Sequence, residues 1–265
     1  MKKFSILALA LIAVFGVQSA KAWGKWGHRI SAYIAEQHLT EKANAECRRY
    51  LQHSLPYYAS WQDWWRYCKG FENVCDAHVS YVDTKYKVWG EKGDLNKEVS
   101  TRIDKITKEL SNGRYLNMPD SIVAMNVKLL IHMVGDMHCP SHVYYHSDSN
   151  FPMKKRIVVR GATLQRHTFW DGSPQHLHPK WNIERFHKVC DTYSPKQIKS
   201  ICKGSTIKWA EENARKVIPT FDYWEEGQDI KELSKENRVK IESMMREQLA
   251  YGGYRLAHIL NKIFK

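Results

Sequence analysis

Residues 119–142 read PDSIVAMNVKLLIHMVGDMHCPSH, and this stretch decides most of what the sequence predicts about the fold. Its first three residues are typical of a helix start. The run from Ile122 to Met137 is apolar nearly all round, as expected for a helix in the centre of a domain. His132 and Asp136 interrupt its apolar second half. They lie four positions apart, so both side chains project from one face of the helix.

These two residues give the first indication of chemistry, because an ionisable pair inside an apolar helix is costly unless it is paired or bound to a metal. His142 follows once Pro140 has ended the helix, and His167 and Asp171 repeat the four-residue spacing. A buried His–Asp hydrogen bond would explain either pair alone. Two such pairs with His142 favour a metal site, and imidazole and carboxylate ligands suit zinc.

The rest of the chain is also predicted to be helical. Spacing of apolar residues and capping residues predict helices over 26–38, 40–52, 205–217 and 232–263, and another beginning at Ser194-Pro195. Residues 156–161 are predicted to form a short strand, half of a hairpin. The sequence therefore predicts an all-α fold, a single compact multi-helix domain with a minor β hairpin.

Residues 1–22 are predicted to be a signal peptide that precedes a domain over 23–265. A basic start, an apolar run from Phe4 to Val17 and Ala20-Lys21-Ala22 match a secretory signal with its cleavage site. The alternative is a membrane anchor, but the apolar run is short for a bilayer. We therefore expect a periplasmic or secreted protein that begins at Trp23 and is not inserted in a membrane.

Composition indicates a folded, basic protein. Of 265 residues, 43% are hydrophobic, which argues against general disorder, and 41 Lys and Arg against 28 Asp and Glu give a net charge of +13. Such a charge suits an anionic partner such as nucleic acid or an anionic membrane. The six cysteines favour disulfides in an exported protein. The local pairings are Cys68 with Cys75 and Cys190 with Cys202, which leaves Cys47 with Cys139, one of several connectivities that six cysteines allow.

Five segments, in their order and spacing, resemble one family. They are Trp23-Gly-Lys-Trp-Gly-His28, Ala59-Ser-Trp-Gln-Asp63-Trp-Trp-Arg66 with His78 beyond it, His132-Met-Val-Gly-Asp136-Met-His-Cys-Pro-Ser-His142, His167-Thr-Phe-Trp-Asp171, and Gly253-Tyr-Arg-Leu-Ala-His-Ile-Leu-Asn261. The chain resembles, over nearly all of 23–265, the single-strand-specific zinc nucleases. These three-zinc endonucleases and 3′-nucleotidases share a fold with bacterial zinc phospholipase C.

The resemblance implies three zinc ions per chain and names their ligands. The first ion would take Asp63, His78, His132 and Asp136, and the second would take His142, His167 and Asp171. The third would take His28, the shared Asp136, and the amine and carbonyl of Trp23 once signal cleavage frees that amine. The cluster would attract a phosphodiester, and the family reaction leaves a 5′-phosphate.

The resemblance also implies catalytic roles for Asp63 and Asp136 through the zinc ions and for Arg66 near the phosphate. A surface salt bridge is the alternative for Arg66. The base pocket departs from the family pattern, because Val79 and Tyr81 stand where the family often has an aromatic residue and an aspartate. Tyr81 and Asp83 are therefore the candidate base contacts. Gln165 stands where the family has an asparagine near the phosphate.

We therefore expect a zinc-dependent endonuclease that cuts single-stranded DNA and RNA, with 3′-nucleotidase activity left open by the altered base pocket. Two other functions are weighed against it: a zinc phospholipase C, and a non-catalytic basic protein that binds nucleic acid. The sequence does not define the oligomeric state, and a monomer is expected.

Overall fold

The computed structural model describes residues 23–71, 74, 76–147 and 151–265, and the described part of the chain is mostly helical. The helices are α1 (Lys25–Gln37), α2 (Glu41–Tyr50), α3 (Leu55–Tyr58), α4 (Trp61–Trp65), α5 (Val99–Leu110), α6 (Asp120–His138), α7 (Arg166–Asp171), α8 (Ser173–Leu177), α9 (Ile183–Cys190), α10 (Pro195–Ile201), α11 (Thr206–Val217) and α12 (Lys235–Ile263). Short 3₁₀ turns connect several of them. The prediction of an all-α multi-helix fold is confirmed. The predicted signal peptide lies outside the described residues.

Helix starts follow the capping signals in the sequence. The Thr40 side chain accepts a hydrogen bond from the amide of Ala43 at 3.2 Å, which caps α2. Ser194 and Gln197 form a reciprocal capping box at the start of α10, with Pro195 in its first turn. These caps place the helices within a few residues of the predicted bounds.

Strands are few and short: β1 (Ser80–Val82), β2 (Val143–Tyr145), β3 (Arg156–Val159), β4 (Ala162–Gln165) and β5 (Gln228–Asp229). The antiparallel pair β3–β4 is the predicted hairpin, and β5 joins β3 in parallel. The parallel pair β1–β2 was not predicted from the sequence. It sets Ser80 opposite Val143, two residues beyond His78 and one beyond His142.

The central helix is α6, as the apolar run predicts. Its last ten residues, from Leu129 to His138, are buried, and it packs against α1, α5 and α12. One hydrophobic cluster lies around α2, α5 and α6, and a second lies around α1, α7, α9 and the first half of α12. The polar face of α6 points between these two clusters, where the side chains of the candidate site meet. No helix in the described part of the chain is apolar over a length that would cross a bilayer.

Two of the three expected disulfides are absent. The thiols of Cys190 and Cys202 are free, and so are those of Cys47 and Cys139. Cys47 packs in the first cluster and Cys139 in the second, so the core itself separates that pair. The Cys139 thiol instead lies 3.0 Å from the Ser141 hydroxyl. The third expected pairing involves Cys75, which lies outside the described residues.

Candidate metal centre

Four buried side chains from three helices meet at one end of α6. Asp136 lies between two histidines: its Oδ1 is 3.1 Å from Nε2 of His28 on α1, and its Oδ2 is 3.2 Å from Nε2 of His132. Asp63 on α4 approaches the same ring, with Oδ1 3.7 Å from His132 Nε2. The rings of His28 and His132 stack with their centroids 4.1 Å apart. The two oxygens of Asp136 therefore face two different imidazoles, as a carboxylate shared between two ions requires.

A second group forms beyond the end of α6. His142 and His167 face each other with their Nε2 atoms 3.1 Å apart, and His167 Nε2 lies 3.4 Å from Oδ2 of Asp171. Asp171 is held by the Ser141 hydroxyl, which donates to its Oδ1 at 2.8 Å. Ligand atoms of His142, His167 and Asp171 all lie within 4.8 Å of one another, and the same holds for His28, Asp63 and His132. Both groups thus have the spacing that one cation requires.

Backbone carbonyls orient the imidazole rings of His132, His142 and His78. Nδ1 of His132 lies 2.8 Å from the Ala59 carbonyl, Nδ1 of His142 lies 2.7 Å from the His78 carbonyl, and Nδ1 of His78 lies 2.8 Å from the Asp76 carbonyl. A carbonyl only accepts hydrogen bonds, so each Nδ1 carries the hydrogen and each Nε2 carries the lone pair. This arrangement is typical of metal-binding histidines.

Burial and neighbouring charges shift the pKa values in these groups. Burial alone would raise the pKa of Asp136, but His132 and His28 hold it well below the ordinary aspartate value. In the second group burial raises the pKa of Asp171 well above its usual range, and burial lowers the pKa of His167 to about 4. Neutral histidines are the form that binds metal, and a cation would offset the burial of Asp171.

The residues present fit a zinc centre. Both ring nitrogens of His28, Nε2 of His132 and both carboxylate oxygens of Asp136 are buried and lack a well-aligned hydrogen bond. Native proteins rarely leave such atoms unsatisfied. Bound cations would satisfy the two Nε2 atoms and the Asp136 oxygens that face them, but not Nδ1 of His28, which lies against Gly135. The donors are imidazole nitrogens and carboxylate oxygens, which zinc prefers.

The remaining predicted site residues lie around these two groups. The ring centroid of His78 lies 5.7 Å from that of His142, but His78 joins neither group of mutually close ligand atoms. Arg66 forms a salt bridge with Asp63 at 3.3 Å, and this pair is largely buried, with the Arg66 side chain only 13% exposed. Trp23 is fully buried, and the amide of Gly24 next to it donates to the Asp171 carbonyl at 2.7 Å.

The three candidate substrate residues, Tyr81, Asp83 and Gln165, do not line one common cavity. Tyr81 pairs with Tyr144 across β1–β2 and lines a cavity of about 330 Å³ with Trp89. Gln165 is exposed and lines a cavity of about 450 Å³ that includes His167. Asp83 accepts hydrogen bonds from the amides of Lys85 and Lys87 at 2.8 and 2.7 Å and does not line the Tyr81 cavity. Its carboxylate stabilises a turn, which explains an aspartate at this position without a base contact.

Comparison with known proteins agrees with this geometry. Residues 23–265 match the S1/P1 nuclease family. The chain belongs to this family. Nuclease S1 of Aspergillus oryzae is 23% identical, with 97% of each chain aligned. Endonuclease 1 of Arabidopsis thaliana is 24% identical over 98% of this chain and 92% of its own, and Endonuclease 2 of the same plant is 24% identical over 98% and 96%.

Family membership confirms three predictions from the sequence: the family itself, the fold, and the class of enzyme, a nuclease. The S1/P1 nucleases depend on zinc in general, which fits the buried histidines and aspartates. The assignment of single ligands and the number of ions remain predictions.

Sequence reasoning missed two residues that build the centre. Ser141 orients Asp171, and its only signal was its position inside the His132–His142 motif. Gly135 lets α1 approach α6, because a Cβ at this position would lie 2.6 Å from Nδ1 of His28. The signal for Gly135 was a glycine inside a helix, where it costs about 1 kcal/mol relative to alanine and usually has a packing reason.

We expect Gly135→Ala to displace the His28 ring, because the buried helix and ring cannot move apart without opening the core. Overpacking of this kind costs about 1–3 kcal/mol of unfolding free energy. Zinc content and melting temperature should both fall. As a control, Ala124→Gly changes a partly buried position about two turns before His132 in the same helix, and it should lower the melting temperature but leave zinc content unchanged. Unchanged zinc content in Gly135→Ala would show that His28 does not bind a metal.

Proposed function

We propose that the protein is a zinc-dependent endonuclease that hydrolyses phosphodiester bonds of single-stranded DNA and RNA and leaves 5′-phosphates. One observation carries the proposal: Asp136 presents one oxygen to His28 and the other to His132, in a fully buried position beside Asp63. A shared carboxylate between two imidazoles fits two adjacent cations. Nucleases named among the relatives support the reaction.

We propose three zinc ions with the following ligands. Asp63, His78, His132 and Asp136 would hold the first, and His142, His167 and Asp171 would hold the second. Trp23, through its amine and carbonyl, would hold the third together with His28 and Asp136. When bound, the ions supply Lewis-acid chemistry: they neutralise phosphate charge and lower the pKa of water.

The residues of the chain position the reacting groups. Asp63 holds the Arg66 guanidinium at 3.3 Å, and a guanidinium fixed there can donate hydrogen bonds to phosphate oxygens as charge develops. Backbone carbonyls hold the rings of His78, His132 and His142, so they need not reorganise during the reaction. Water adds to phosphorus, the bond between phosphorus and the 3′-oxygen breaks, and the 3′-oxygen leaves as a hydroxyl.

The centre is deep, which favours unpaired strands. His132 and Asp136 are fully buried, so a phosphodiester reaches them only if its flanking bases can move out of a stack. A duplex must first unpair and unstack, at a cost of a few kcal/mol.

We expect end-group analysis of cleaved oligonucleotides to show 5′-phosphates and 3′-hydroxyls. Single-stranded DNA and RNA should both be cut, and duplex DNA should be cut about 10²-fold more slowly because of the unstacking cost. The assay compares one labelled strand alone and annealed to its complement. Products with 3′-phosphates would contradict the proposed bond cleavage.

Family membership disfavours the two other functions. A parallel assay with a lecithin ester distinguishes the proposed nuclease from a zinc phospholipase C, since the nuclease is expected to hydrolyse DNA but not the lipid. Metal analysis of the purified protein distinguishes the proposed nuclease from a non-catalytic protein that binds nucleic acid, since the nuclease is expected to contain about three zinc ions per chain.

We also propose that residues 1–22 direct export and are removed, which places the protein in the periplasm or outside the cell. The family match supports this boundary, because it begins at Trp23. We propose a monomer. Mass spectrometry of protein from the extracellular and periplasmic fractions tests the new N-terminus, and light scattering tests the oligomeric state.

A further inference from the structure

An aromatic groove lies between the start of α1 and helices α3 and α4. It encloses about 470 Å³. We call it the α3–α4 groove, and its main lining residues are Lys25, His53, Tyr57, Trp61, Trp64 and Trp65. It contains none of the proposed zinc ligands, and the function argued above gives it no role.

Large aromatic rings in this groove face solvent. Tyr57 is 65% exposed and Trp64 is 68% exposed. Behind them, Trp61 and Trp65 stack with centroids 5.4 Å apart, and the rings of His53 and Tyr57 lie 4.1 Å apart. Clustered exposed aromatics on a soluble domain mark an interaction site, because single exposed apolar residues are normally scattered.

Charge around the groove favours an anion. Among the described residues that line it, none carries a carboxylate, and Lys25 is exposed at its edge. Lys128 does not itself line the groove, but its ammonium lies 4.7 Å from the ring centroid of Tyr58, which does. The groove therefore combines stacking surfaces with positive charge, which is the combination that binds single-stranded nucleic acid without base preference.

The groove adjoins the metal centre through the chain itself. Trp64 directly follows Asp63 in α4, where Asp63 is buried toward His132 and Trp64 is exposed toward the groove. Lys25 begins α1 and precedes His28 by three residues, which is less than one turn or about 4.5 Å of helix. A strand whose phosphate lies at the centre and that extends past Lys25 and Trp64 would place a nucleotide beyond the two flanking ones at the groove.

We propose that the α3–α4 groove binds unpaired nucleotides beyond the two that flank the scissile phosphate, with bases stacked on Tyr57 and Trp64. The inference rests on the proposed nuclease function, which supplies the strand at the centre. It assigns Tyr57 and Trp64 as positioning residues that select longer strands and do not take part in the chemistry. Base pairing would keep a nucleotide from entering, so the groove adds to the preference for single strands.

The test compares a short and a long substrate, dT₂ and dT₁₂. Tyr57→Ala and Trp64→Ala should each raise the KM for dT₁₂ about tenfold, the loss expected for one stacked base, and leave its kcat unchanged. Cleavage of dT₂ should not change, because dT₂ does not reach the groove. Tyr57→Phe and Trp64→Phe should restore the KM, because stacking needs the ring and not the hydroxyl or the indole nitrogen.

Tyr67→Ala is the matched control. Tyr67 is 65% exposed, as Tyr57 is, and lies on the same segment, but it does not line the groove. Its substitution should leave both substrates unaffected. Unchanged KM values in Tyr57→Ala and Trp64→Ala, or an equal rise in Tyr67→Ala, would overturn the inference. So would a wild-type dimer that Trp64→Ala makes monomeric without loss of affinity for dT₁₂.

A binding measurement separates failure of this inference from failure of the proposed function. Fluorescence anisotropy of a labelled phosphorothioate dT₁₂ reports affinity without turnover. Weaker binding in Tyr57→Ala and Trp64→Ala supports the groove even if the wild type cuts neither substrate, a result that would refute the nuclease proposal alone. Equal binding by wild type and both variants refutes the groove, whatever the activity.

Discussion

Asp136→Asn is expected to abolish nuclease activity almost completely, with a loss of at least about 10²–10³-fold, the effect of removing one group that stabilises charge in a transition state. The variant keeps the shape of the side chain and removes its charge. Because Asp136 lies 3.1 Å from His28 and 3.2 Å from His132, one substitution weakens two proposed zinc positions at once. Zinc content should fall with activity, and so should the melting temperature, because bound metal contributes to folding free energy.

The matched control for this substitution is Asp191→Asn. Asp191 is also a carboxylate between two histidines, with Oδ2 2.9 Å from Nε2 of both His38 and His187, and it lies outside the metal centre. Its substitution should lower stability but leave zinc content and turnover per folded molecule intact. Full zinc content and full turnover in Asp136→Asn would remove Asp136 from the ligand set.

A protein with one extra residue before Trp23 is expected to lose most of its turnover while it keeps its helical fold. In that form, beginning Ala22-Trp23, the nitrogen of Trp23 is an amide, which is a poor zinc ligand. The new amine lies about 3.8 Å away along the chain, too far for a zinc–nitrogen bond of about 2.0–2.1 Å. Zinc content should drop by about one ion or less, because His28 and Asp136 remain.

The structure limits how the chain could absorb this extra residue. The amide of Gly24 is bound to the Asp171 carbonyl at 2.7 Å, and the Trp23 ring packs so closely on Gly27 that a Cβ there would meet it at 2.6 Å. The segment is therefore held in register and cannot slide by one residue. Mass spectrometry confirms both N-termini before zinc content and cleavage of single-stranded DNA are compared.

Trp23→Phe, in a protein that begins at residue 23, distinguishes the role of the Trp23 amine from the role of its side chain. This variant keeps the free amine and removes part of a fully buried ring, so stability should fall while zinc content and turnover per folded molecule persist. Recovery of activity after an aminopeptidase removes Ala22 from the extended form would complete the comparison. Equal activity of the extended and the mature forms would return Trp23 to a purely structural role.

Local sequence patterns predicted six of the twelve described helices, α1, α2, α6, α10, α11 and α12, because helix formation depends on near neighbours; α5 and the shorter helices were not predicted. The apolar run from Ile122 to Met137 became α6, and Thr40 and Ser194 cap helices as their positions indicate. The parallel pair β1–β2 had no such signal, since its strands have three residues each and lie about 60 positions apart. Yet this pair brings His78 beside His142, so part of the candidate site depends on an element that no local pattern shows.

The disulfide predictions also show that position along the sequence does not determine which residues meet in the fold. Sequence proximity suggested that Cys190 pairs with Cys202, and elimination then paired Cys47 with Cys139, but all four thiols are free. Two cysteines form a disulfide only when their Cβ atoms approach within a few ångströms. Spacing along the chain does not determine that distance once helices intervene.

The sequence by itself determined which residue types bear the chemistry, the two His–Asp pairs at helical spacing, the central helix and the family. The family resemblance also implied that Asp136 is shared between His28 and His132. Tertiary structure alone decided the distances at which Asp136 faces these two rings, that Gly135 makes room for the His28 ring, and that Tyr57 and Trp64 share a groove with Lys25. The physical reason is the distance along the chain over which each interaction acts. Periodicity and capping act over a few residues, whereas these contacts join segments that only the packing of α1, α3, α4 and α6 brings together.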